Sequence, residues 1–114
     1  MKPDRPDTTK ILIDIKYKSS LNEFEEFYGE NVTYREIEQK SYILFKDIMF
    51  DKINSDIKFR KYGRIGLTLT IKAFMFKEEI EIFKRMLEKD EIDLLYGWII
   101  TNITIIKDNK IQTQ

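Results

Sequence analysis

The stretch Ile57-Lys58-Phe59-Arg60-Lys61-Tyr62-Gly63-Arg64-Ile65-Gly66-Leu67-Thr68-Leu69-Thr70-Ile71-Lys72 decides how this chain is read. Ile57 and Phe59 alternate with Lys58 and Arg60; past two glycines, Leu67, Leu69 and Ile71 alternate with Thr68, Thr70 and Lys72. A period of two sorts each apolar set onto one face of a strand. Gly63 and Gly66, which tolerate positive φ, supply the turn, so the stretch is expected to be a β-hairpin.

Helical signals flank it on both sides. Upstream, Thr33-Tyr34-Arg35-Glu36 has the spacing of a capping box, in which hydroxyl and carboxylate satisfy the free amides of a helix start. The segment it opens runs to about residue 53 without Gly or Pro. Tyr34, Ile37, Ser41, Leu44, Phe45 and Ile48 recur there at three- and four-residue intervals, which predicts a long helix. Within it, residues 41–50 stay open between helix and strand, because Tyr42-Ile43-Leu44-Phe45 also suits a buried strand. Downstream, Ile80, Phe83 and Leu87 mark the apolar stripe of a helix over 77–89.

Further out, Ser20-Leu21-Asn22-Glu23 opens a short helix, with Leu21, Phe24 and Phe27 expected inward and Gly29 as its stop. Before it, Ile11, Ile13, Ile15 and Tyr17 alternate with Leu12, Asp14, Lys16 and Lys18 in a half-buried strand. The last strand, about 95–106, sets Tyr96, Trp98, Ile100 and Ile106 on one face and Leu95, Ile99, Ile103 and Ile105 on the other. Both of its faces therefore look buried.

The resulting order is βα(α)ββαβ, an α+β fold of ferredoxin-like or related type. Such a chain builds a four-stranded, mainly antiparallel sheet with helices on one face, the first and third strands central and the fourth at an edge. An edge strand apolar on both faces needs cover, from a second copy, another protein or the chain's own C-terminal tail. Tyr96, Trp98 and Ile100 are thus a candidate oligomer interface. Residues 1–9 are expected to be a flexible tail, 10–107 the single domain and 108–114 a polar tail.

Composition narrows function. The 114 residues include no His and no Cys, which removes thiol nucleophiles, disulfides, thiolate metal sites and the commonest general base. Carboxylates could still do acid and base work, but no pair is marked as converging on one cleft. No catalytic residue, metal site or cofactor is expected, and the expectation is a non-enzyme. No run suits a membrane span, and the N-terminus lacks the apolar stretch of a signal peptide, so a cytoplasmic protein without membrane contact is expected.

Net charge is zero, yet it is segregated along the chain. Residues 21–38 carry six Glu against Arg35, whereas residues 39–76 carry eight basic against three acidic side chains. Two opposite hypotheses follow. Glu23, Glu25, Glu26 and Glu30, interleaved with Tyr28 and Tyr34, would suit docking on a basic protein surface such as the nucleic-acid cleft of a nuclease. That is the strategy of small immunity and inhibitor proteins that neutralise a toxin, a nuclease or a host enzyme, and it is the leading expectation. Lys58, Arg60, Lys61, Tyr62 and Arg64 offer the alternative, a regulatory protein whose hairpin holds nucleic acid. Gly63-Arg64-Ile65-Gly66 spells a backbone-clamping GXXG, but between strands instead of helices. Self-association as a structural or assembly protein, for example as a homodimer, is the third reading.

Overall fold

A computed structural model describes residues 5–106; the C-terminal tail expected at 108–114 and the first four residues of the N-terminal tail lie outside the described residues. The elements are β1 (Thr9–Tyr17), α1 (Leu21–Tyr28), α2 (Tyr34–Lys52), β2 (Lys58–Ile65), β3 (Thr68–Met75), α3 (Lys77–Glu88) and β4 (Trp98–Ile106). The strands form one antiparallel sheet in the order β2-β3-β1-β4. β1 and β3 are central and β4 is at an edge, the α+β arrangement with ferredoxin-like order that the sequence implies.

Local chemistry sets the helix starts. Ser20 accepts a hydrogen bond from the Glu23 amide at 3.2 Å. Thr33 and Glu36 exchange theirs, the Glu36 amide donating to Oγ1 at 3.1 Å and the Thr33 amide to Oε1 at 2.9 Å. Those bonds from Thr33 hold the Glu36 carboxyl below its ordinary pKa. α2 is helical throughout, including residues 41–50. Its inward residues are Ile37, Glu38, Ser41, Tyr42, Phe45 and Met49, while Leu44 and Ile48 are only half-buried. The face is rotated from the apolar stripe because Glu38 is drawn inward by an ion pair with Arg64 of β2.

All the helices pack on one side of the sheet. Ile11, Ile13, Ile15, Leu69, Ile71 and Met75 are fully buried beneath Phe45, Met49 and Phe83. Truncating a core phenylalanine of this kind to alanine costs about 3–5 kcal/mol. The N-terminal segment joins this packing: the Arg5 guanidinium lies 4.3 Å from the Phe76 ring centroid and pairs with Glu79 of α3.

The hairpin turn is Gly66-Leu67 alone, with Gly66 at φ +60 as its first central residue, the position a tight hairpin reserves for glycine. Gly63 belongs to β2, opposite Thr70. Between them the strand carries a bulge: Lys61 pairs with Ile71 and Gly63 with Thr70, leaving Tyr62 as the extra residue. A bulge reverses the alternation beyond it. Phe59, Lys61 and Arg64 therefore face the helices, and Lys58, Arg60 and Ile65 the opposite side.

β4 repeats the device. Asp14 pairs with Asn102 but Ile15 pairs with Ile100, so Thr101 is extra. This corrects the reading of two buried faces. Trp98, Ile100, Ile103 and Ile105 all share the helix side, and the other side carries the exposed Ile99, Asn102 and Thr104 together with the half-buried Ile106. Most of the apolar material thought to need an external cover is covered by the domain's own helices.

Candidate functional site

α1 is too short to be stable alone, and an aromatic cluster holds it in place. Phe24, its one buried residue, meets Tyr17 edge-on at 5.4 Å between centroids and Tyr34 at 5.1 Å. Trp98 closes the cluster at 5.2 Å from Tyr34 and 6.3 Å from Tyr17. Gly97 allows that closure: at φ +84 it passes so near the Tyr17 ring that a Cβ would overlap it.

Tyr28 and Tyr34, expected as exposed contacts among the carboxylates, are half-buried struts. The Tyr28 hydroxyl donates to the Tyr96 carbonyl at 2.7 Å. The Tyr34 hydroxyl donates to the Leu67 carbonyl at 2.9 Å and accepts from the Tyr17 amide at 3.2 Å. Burial, first of all, pushes both phenols above their ordinary pKa; the Trp98 indole opposes it at Tyr28 and the Tyr17 amide at Tyr34.

With Phe24 inward, the next residues of α1 turn out. Phe27, expected to be core, is 54% exposed, and it stacks face to face on Tyr96, 63% exposed, at 4.2 Å and 24°. Exposed Glu23 and Glu26 line a cleft of about 260 Å³ with this pair and Tyr17. Exposed Glu25 and Glu30 join Glu26 around a second hollow. Tyr96 also borders a groove of about 340 Å³ running to Asp90 and Asp93. The acidic segment and the residues before β4, two separate candidates in the sequence, thus form one surface, with Lys18 at its rim through the bond of its amide to the Gly97 carbonyl at 2.8 Å. Of the other suggested interface residues, Trp98 is buried core and Ile100 is half-buried on the helix side.

The basic hairpin residues are divided by the Tyr62 bulge. Arg64 forms a two-pronged pair with buried Glu38, from Nε at 3.0 Å and from Nη2, and Glu38 raises the Arg64 pKa further. Lys61 bonds to Gln39 and lies 5.4 Å from the Tyr42 ring. Lys58, Arg60 and Tyr62 are left on the open sheet face, so the five residues do not form one site. Among the described residues no group of three or more acids is placed to hold a metal ion, and no helix is long and apolar enough to cross a membrane. Comparison with protein-family models, curated proteins and solved structures finds no match to this chain.

Proposed function

We propose that this chain is a non-enzymatic protein-binding module, in its most concrete form a cytoplasmic immunity or inhibitor protein that neutralises a nuclease or toxin by docking on its basic surface. The observation that carries this reading is the exposed Phe27–Tyr96 stack among Glu23, Glu25, Glu26 and Glu30. Aromatic anchors surrounded by groups that shut out water provide most of the energy of a protein interface, and carboxylates add attraction to a cationic partner. The stack is already formed in the free chain, so little side-chain freedom remains to be lost on docking.

The test is affinity capture from the native host with wild-type bait and with bait carrying Phe27→Ser, Tyr96→Ser and Glu26→Lys, followed by titration of the purified pair. A partner held by the wild type and released by this variant, with activity suppressed in the complex, supports the reading. Capture and affinity indifferent to all three changes would sink it.

A further inference from the structure

The sheet face turned away from the helices carries the opposite chemistry. The register sets Lys10, Phe74 and Lys58 side by side on β1, β3 and β2, and Leu12, Lys72 and Arg60 in the next row. Phe74 therefore stands between cations on both neighbouring strands. The Lys72 Nζ lies 5.8 Å from the Phe74 ring centroid and 5.1 Å from that of Tyr62, the exposed bulge residue. Among the described residues, Lys10, Lys58, Arg60 and Lys72 have no ion-pair partner. Asp14, the acid on this face, is engaged by the Thr70 hydroxyl at 2.6 Å. Where the first row ends, Arg5, Thr8, Lys58 and Phe74 line a hollow of about 300 Å³.

From this placement we infer that the open sheet face binds single-stranded nucleic acid with little sequence preference. Bases stack on Phe74 and Tyr62, Lys72 between the rings meets the intervening phosphate, and Lys10, Lys58 and Arg60 hold flanking phosphates. Every base has a π-face, so ring stacking tolerates any sequence, and the cations supply a salt-dependent grip. Width selects the unpaired form. Four strands at a spacing of about 4.8 Å span roughly 14 Å, too broad for a major groove of about 12 Å. The site differs from the hairpin run read in the sequence, since Lys61 and Arg64 face the helices while Lys10, Lys72 and Phe74 come from other strands.

Short fluorescein-labelled oligo-dT and oligo-U, titrated with the protein, test this by anisotropy. Affinity should fall roughly fiftyfold between about 50 mM and about 200 mM salt, the slope of about four phosphate contacts on a single strand. Combined Lys58→Ala, Arg60→Ala and Lys72→Ala should flatten that slope. Phe74→Leu, which keeps the packing apolar, should weaken binding roughly tenfold, the loss of one stacked base. Arg64→Met should leave binding unchanged. No binding at low salt overturns the inference. So does inorganic polyphosphate binding equally well with no response to Phe74→Leu, because charge alone would then account for it. Sedimentation showing a dimer that Phe74→Leu disperses overturns it too, assigning the face to a second copy.

Discussion

Replacing Arg64 by methionine separates a structural arginine from a ligand-binding one. The side chain of Glu38 is 1% exposed and that of Arg64 30%, and they are joined by two contacts. Removing one partner of a buried pair costs about 3–5 kcal/mol, because the other charge is left without compensation. Two features reduce that here: Arg64 is partly solvated, and Arg35 lies 3.5 Å from the same carboxylate. The expected loss is therefore about 2–3 kcal/mol. For 114 residues, the unfolding entropy is about 0.24 kcal/mol/K, so the melting midpoint should fall by roughly 8–12 °C. The assay is thermal and urea unfolding of wild type, Arg64→Met, Glu38→Leu and the Glu38→Leu/Arg64→Met double variant. Apolar replacement of the whole pair should recover most of the loss, giving a coupling of about 2 kcal/mol. A single variant within about 0.5 kcal/mol of wild type, or a double variant as unstable as the sum of the singles, would refute the reasoning.

Three further outcomes follow from the same packing. Gly97→Ala should cost about 2–3 kcal/mol through the overlap with Tyr17 and the positive φ; a midpoint unchanged in urea would contradict that account. Tyr34→Phe removes the hydroxyl shared by Leu67 and Tyr17 and should cost about 1–2 kcal/mol, with amide exchange fastest at the Tyr17 and hairpin ends; uniform exchange would mean the strut is idle. Burial is the first cause holding Tyr17, Tyr28, Tyr34 and Tyr42 above the ordinary phenol range. A raised folded-state pKa means stability that is full below about pH 10 and lost as pH rises through the folded values. The melting midpoint should therefore decline from about pH 10 upward while tyrosinate absorbance rises, and a midpoint indifferent to pH there would contradict it.

Element types and their order were legible because each rests on local chemistry. The capping residues Ser20 and Thr33, the alternation at 11–17 and 67–72 and the glycine of the turn act within a few residues. What was hidden depends on contacts between distant residues. Nothing near Thr101 marks a bulge, so unbroken alternation sets Ile103 and Ile105 on the face opposite Trp98 and Ile100, whereas the structure has all four together. Nothing near Tyr62 marks one either, and Gly63, expected in the turn, lies within β2. In α1, the two phenylalanines have similar surroundings in the sequence, and only the cluster of Tyr17, Tyr34 and Trp98 decides that Phe24 enters while Phe27 stays out. The acidic half of the candidate surface was visible as composition. Its aromatic half was not, because Phe27 and Tyr96 are far apart in the chain.

The two bulges sit at nearly the same height, flanking the paired Asp14 and Thr70 on the central strands. Each edge consequently presents an incoming strand with a ladder interrupted midway, a poor template for extending the sheet. A single-residue deletion at Thr101 would give β4 an even ladder, with Ile100, Ile103 and Ile105 still on the helix side opposite Ile15, Ile13 and Ile11. The same small change would thus create a continuous edge, a better template for an incoming strand. One inserted residue per edge strand keeps this sheet at four strands and leaves its side chains, not its backbone, to meet other molecules.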